Sequence, residues 1–245
     1  MAYNSKSNFM RYLEIDFARG ISVFCMIIYH FFFTLQYPNS KISFFAIPIA
    51  SSFIIISGIC LHISYSRRKN FMNFLKRGIK LSILSLMITC LSFLFLQRGF
   101  IIFGILHFFA FSSFLIYPFL KFLKGSKIFL PLSIISILIG FLISRLEVNS
   151  YFLFWLGIRP KNFFTFDFFP LFPWFGVLLF GVFLGRVFYP NGERRFRFKG
   201  INSILFKFFA FLGKNSLTIY FLHEPIIILI LSFFVPLKLP VKFLG

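Results

Sequence analysis

Long apolar runs alternate along the chain with short segments in which the charged residues collect. A helix needs about 20 mainly apolar residues to cross the hydrocarbon of a bilayer. By that measure the pattern predicts seven spans, roughly Gly20–Leu35, Ser43–Ser64, Gly78–Leu96, Gly99–Leu120, Ile128–Ser144, Pro170–Tyr189 and Ser216–Val235, two of them marginal in length. An eighth stretch, Ile201–Leu212, is short and carries Lys207, which reads as an interfacial helix on the membrane surface. The expected fold is all-α, a polytopic transmembrane bundle forming a single domain over residues 1–245.

Most predicted connections are tight. Gln97, Arg98 and Gly99 leave almost nothing between the third and fourth spans, so these should form an antiparallel hairpin. The exception is Arg145 to Phe169, rich in Phe and containing Trp155. So amphiphilic a connection should lie against the membrane face or fold back as a lid.

Composition strengthens the membrane reading. The 245 residues are 59% hydrophobic, 23% aromatic and only 13% charged, and the mean hydropathy is +0.89. Soluble domains run nearer a quarter charged. The net charge of +20 would ordinarily point to nucleic acid. Here its distribution explains it, because an N-terminus in the cytoplasm places 19 Lys and Arg inside and leaves seven outside: Lys41, Arg98, Arg145, Arg159, Lys161, Lys238 and Lys242. The expected location is the cell membrane, multi-pass, with the C-terminus outside and the first span acting as an uncleaved anchor. Cys25, Cys60 and Cys90 fall within spans and read as small buried hydrophobes. Four His and three Cys show no zinc-ligand spacing, so no metal is expected.

Ionisable residues inside spans are costly and mark function by default. Arg19 and His30 lie eleven residues apart, three helical turns, on one stripe of the first span, with His30 about 16 Å deeper. Glu14 and Asp16, two of only six acids, precede them. His107 follows Gly104 in the fourth span, which enters from outside. Ser216, Tyr220 and His223 share a face of the last span, followed by Glu224 and Pro225. Asp167 stands at the mouth of the sixth span among aromatics, ahead of Trp174, an interface-anchor type, and of Gly181, Gly185 and Arg186. Gly181 and Gly185 make a close-packing face. His62, beside Arg67 and Arg68, reads as interfacial.

Neutral imidazole can take a proton from a hydroxyl or amine, and clustered Arg can hold phosphates. Transfer of an activated group across the membrane fits this set. A proton-coupled transporter or flippase fits it almost as well, and a non-catalytic membrane scaffold stays open.

The run Arg11 to Gly20, followed by Tyr29 and His30, resembles the opening of the membrane acyltransferases related to the heparan-α-glucosaminide N-acetyltransferase catalytic domain. Phe103 to His107, Asp167 to Arg186, and Leu212 to Ser216 through His223, Glu224 and Pro225 resemble further blocks in the same order. The likeness covers nearly the whole chain and is specific in the combination. The Arg19-to-His30 spacing also resembles the arginine–histidine motif of bacterial polysaccharide O-acyltransferases. One departure stands out: the histidine that lysosomal relatives carry in the loop after the first span has no counterpart between Phe31 and His62.

The resemblance implies transfer of an acyl group, taken as acetyl, from cytoplasmic acyl-CoA to a sugar or lipid-linked acceptor at the outer face. By likeness Arg19 and His30 carry over as motif residues, with His107 and Asp167 at matching block positions. The expected catalytic set is then His30, as general base or as a transiently acylated residue, with His107 and Asp167 orienting the acceptor, and Glu14 and Asp16 as structural motif residues. Acyl-CoA would dock on Arg19, Arg68, Arg77 and Arg186, and the acceptor on Trp174, Tyr220, His223 and Glu224. The partners implied are acyl-CoA, a carbohydrate or lipid-linked acceptor and membrane lipids, with no nucleic acid; a homo-oligomer stays open.

Overall fold

A computed structural model describes residues 11–36, 41–96, 98–198 and 203–236. Lys6, Lys199, Ile201, Lys238 and Lys242 lie outside that set. The described chain is about three-quarters helical: α1 Leu13–Gln36, α2 Ala46–Arg68, α3 Phe71–Phe95, α4 Ile105–Phe122, α5 Phe129–Ile143, α6 Leu171–Phe188, α7 Ile204–Lys214 and α8 Ser216–Ser232. Local sequence sets several boundaries. Lys69 takes a left-handed conformation (φ 44°) after α2, and the Asn70 side chain accepts from Met72 N–H at 2.8 Å to start α3.

The span count departs from seven. Five helices are long and apolar enough to cross a membrane: Leu13–Gln36, Ile42–Arg68, Phe71–Phe95, Ile105–Phe122 and Leu171–Phe188. The pair α7 and α8, bent by 85° at their junction, makes a sixth if taken as one broken span. The predicted fifth span is the 15-residue α5, about 22 Å of helix against about 30 Å of hydrocarbon. The predicted fourth span also begins later, at Ile105. Residues 98–104 do not extend it, because Gly99 turns the chain at φ 78° and the backbone pairs sideways. Phe166 N–H donates to Gly99 O at 3.0 Å and Phe169 N–H to Phe103 O at 2.9 Å.

The core lies between α2, α4 and α6, where Ile54, Phe108, Ile116, Leu178 and Val182 are fully buried. Large apolar side chains such as Leu86, Leu138 and Phe141 stay exposed on outward faces, which suits a lipid solvent. Small residues decide how closely the helices approach. A Cβ on Gly58 would meet the backbone of Leu178 and Gly181, and one on Gly181 would meet the backbone of Ile55. The Gly181 and Gly185 face is thus the α2–α6 contact. On the other side, Gly20 of α1 faces the Phe209 backbone of α7, and Gly213 faces that of Asp16. These two close approaches pack α7 onto α1, flanked by the Phe17–Phe206 and Phe24–Phe209 ring pairs.

Since the three atoms nearest a Cβ on Gly181 all belong to the Ile55 backbone, no rotamer change can relieve that contact for a larger side chain. Gly181→Val should therefore cost at least the ~1–3 kcal/mol typical of overpacking. The check is the thermal unfolding midpoint in detergent; a midpoint equal to wild type would mean that α2 and α6 are not in backbone contact.

The predicted lid segment folds back over the start of α4. Glu147–Val148 and Arg159–Pro160 form a two-residue parallel pair, a short turn at Phe154–Leu156 sits between them, and Trp155 packs on Phe111. Phe163 packs on Phe168, next to Asp167. The bundle thus has a basic end, where α1 begins and α2 and α6 finish, and an aromatic end, where α4 begins.

Candidate active site

At the basic end the first turn of α1 presents its two acids to arginines. Asp16 pairs with Arg11 at 2.8 Å and with Arg19 at 3.1 Å. Glu14 pairs with Arg194 at 3.3 Å and accepts from the Tyr189 hydroxyl at 3.2 Å. Glu14 and Asp16 thus tie the start of α1 to the end of α6 and to the arginines that follow it.

Arg19 donates onward to Cys60 Sγ at 3.1 Å and to Gly213 O at 3.4 Å. A cavity of about 260 Å³ opens here, lined among others by Arg11, Asp16, Arg19, Cys60 and Arg67. Three guanidiniums against one carboxylate leave the cavity with a net positive charge.

The four arginines expected to hold the acyl donor do not converge. Arg19 lines the cavity, and Arg77 lies within electrostatic reach of Arg19 and Cys60 while donating to Ser57 Oγ at 2.8 Å. Arg186 serves the end of α4 instead: it donates to Lys124 O at 2.6 Å and Leu123 O at 2.7 Å and lies over the Phe129 ring. Helix ends leave such carbonyls without partners, and a cation suits that end of the dipole. Arg68 does not line the cavity but its neighbour Arg67 does, since adjacent helical residues point about 100° apart. Arg67 stacks over Tyr12 and donates to Gly192 O at 3.2 Å.

His62 also differs from expectation. It is buried and bonded to Tyr189 O at 3.1 Å, because Gly185 leaves room for it against α6. It belongs to the packing between α2 and α6, not to an interface.

Three turns along α1 from Arg19, the His30 ring meets the His223 ring of α8 edge-on, with centroids 4.6 Å apart. Each imidazole spends Nδ1 on its own helix: His30 against Met26 O at 2.9 Å, His223 against Tyr220 O at 2.6 Å. A carbonyl only accepts, so Nδ1 carries the hydrogen in both and Nε2 carries the lone pair. Glu224 completes the group. Its Oε1 accepts from Thr34 Oγ1 at 3.0 Å, and its Oε2 lies 4.0 Å from His223 Nε2. Thr34 follows His30 by four residues on the same stripe, a spacing that would have revealed it.

Tyr220, one turn before His223, donates to Asp167. Asp167 Oδ2 also accepts from Ile105 N–H at 3.0 Å, at the start of α4. Loss of hydration pushes the Asp167 carboxyl up to about 6, against the opposing pull of these two hydrogen bonds.

His107 is committed to the same helix start. Its Nδ1 accepts from Gly104 N–H at 3.2 Å, and its Nε2 faces Thr89 Oγ1 at 3.1 Å, whose own hydrogen goes to Ile101 O at 2.7 Å. Both ring nitrogens are occupied, so His107 shapes the N-terminus of α4. Trp174 packs on Phe169 in the main core, apart from the histidines.

Fold and site together define a helical membrane protein with a basic, arginine-lined mouth at one end and a paired-imidazole centre three turns along α1. The family model described as heparan-alpha-glucosaminide N-acetyltransferase, catalytic, matches residues 11–225, from the first cavity arginine to the proline after Glu224. The chain belongs to that family of membrane acetyltransferases. No curated protein and no solved structure matches it.

Proposed function

We propose that this protein moves an acetyl group from acetyl-CoA, held at the basic end, to a sugar or lipid-linked acceptor reaching the His30 centre from the aromatic end. The excess of Lys and Arg at the basic end supports a cytoplasmic orientation for it, with donor and acceptor approaching from opposite faces of the membrane. The observation that carries this reading is the layout along α1: the arginine cavity around Arg19, and His30 with His223 and Glu224 three turns deeper on the same stripe.

Arg11, Arg19 and Arg67 hold the phosphates of the donor, and its pantetheine arm extends along α1 toward His30. The acceptor hydroxyl or amine attacks the thioester carbonyl and gives its proton to His30 Nε2. The new C–O or C–N bond forms as the C–S bond breaks, and the CoA sulfur leaves with the proton that His30 returns. Glu224, fixed by Thr34, stabilises the cationic imidazole that exists between those two transfers. Asp167 and Tyr220 orient the acceptor, with His107 keeping the start of α4 in shape behind them.

The donor site is tested by binding. A charge-assisted hydrogen bond is worth about 1.5–3 kcal/mol, and about 1.4 kcal/mol is tenfold in affinity. Arg11→Ala combined with Arg19→Ala should weaken acetyl-CoA binding at least tenfold by calorimetry, with acceptor affinity little changed. Unchanged CoA affinity removes the phosphate-clamp role. A wild-type protein whose unfolding temperature ignores acetyl-CoA would point instead to a transporter, since a bound donor must stabilise by mass action.

A further inference from the structure

We infer that His30, His223 and Glu224 form a binding site for a divalent transition metal of the zinc class. The inference stands on ligand geometry, independently of the acetyl-transfer reading. His30 and His223 each offer one nitrogen and Glu224 one oxygen, and these three atoms lie within 4.8 Å of one another. They come from two helices, α1 and α8, separated by most of the sequence, which is why no ligand spacing is visible in the chain.

Two further observations single this group out. Of three buried side-chain atoms without a hydrogen-bond partner among the described residues, two, His223 Nε2 and Glu224 Oε2, belong to this group, an arrangement that costs free energy unless something sits between them. His223 is 8% exposed. The supporting shell is also that of a metal site. Both imidazoles direct Nδ1 to a backbone carbonyl, which fixes the tautomer and turns the Nε2 lone pairs inward, and the second oxygen of Glu224 is held by Thr34.

Two imidazoles and a carboxylate suit zinc, with a fourth position left for water or a ligand. A tetrahedral ion with bonds of ~2.0–2.2 Å brings ligand atoms to ~3.3 Å of each other. The present separations, all within 4.8 Å, exceed that by at most about 1.5 Å. An ion bound here takes the same His30 Nε2 lone pair that accepts the acceptor's proton. Occupied metal site and free base therefore exclude each other, and this one consequence rests on the proposed function.

The test uses full-length protein in detergent, without acetyl-CoA, any affinity tag removed, and stripped with EDTA. Zinc titration followed by metal analysis should give one ion per chain. X-ray absorption should show nitrogen and oxygen neighbours only, two of them imidazole. His30→Ala, His223→Ala and Glu224→Gln should each abolish stoichiometric binding, and Thr34→Val should weaken it about 10–100-fold. Wild type that retains no more zinc than the His223→Ala variant overturns the site, as does a sulfur neighbour in the absorption spectrum. Should the ligand variants fail to fold, wild-type stoichiometry and spectrum decide alone. Zinc that binds yet leaves acetyl transfer untouched overturns only the exclusion of the base.

Discussion

His30→Ala is expected to slow acetyl transfer by about 10²–10⁴-fold, the usual contribution of a positioned general base. The substitution removes the α1 imidazole that meets the His223 ring, while Met26 O keeps its place in the helix ladder. The loss should therefore fall on kcat, with acetyl-CoA affinity near wild type, because the donor mouth lies three turns away at Arg19. Single-turnover kinetics with radiolabelled acetyl-CoA separate the two. Full activity in His30→Ala would remove His30 as the base. Equal loss of CoA binding and turnover would mean that the variant disturbed the bundle instead.

Asp167→Ala carries the second large effect, this time on stability. It strands the Ile105 amide at the start of α4 and the Tyr220 hydroxyl on α8. Each buried donor left unpaired costs about 1–3 kcal/mol, so the variant should unfold well below wild type. Asp167→Asn keeps an oxygen acceptor for Ile105 and should cost less. The carboxyl also gives the wild type a pH signature. Its folded value, about 6, lies above the ordinary aspartate value of 3.8, so the folded state holds a proton that the unfolded chain has released. The stabilising contribution is complete below about pH 4 and is lost as pH rises through 6. Unfolding midpoints should therefore fall between pH 4 and 7 more steeply for wild type than for Asp167→Asn. Parallel curves would show that Asp167 keeps an ordinary carboxylate.

Membrane character, the helical class and the family were all legible in the chain. Long apolar runs with so few charges have no other stable solvent than lipid, and the blocks around Arg19, His107, Asp167 and His223 keep their order whatever the packing. Periodicity alone put Arg19 and His30 on one stripe, because helical rise and twist are local quantities. The small-residue face at Gly181 and Gly185 was readable for the same reason.

Pairings across helices were not, since they depend on where distant segments meet. Nothing in residues 60–70 says that Arg67 faces the cavity while Arg68 does not, or that His62 is enclosed by α6. Nor does the chain say that the Arg186 guanidinium closes the end of α4, or that both His107 nitrogens have partners beside the start of that helix. His30 and His223 stand 193 positions apart in sequence yet ring to ring in space. Sequence by itself determined the solvent, the helices and the family, because those follow from local composition and spacing. Tertiary structure alone decided which polar groups share a site, because the cost of leaving a buried donor or acceptor unpaired is settled only when the helices pack.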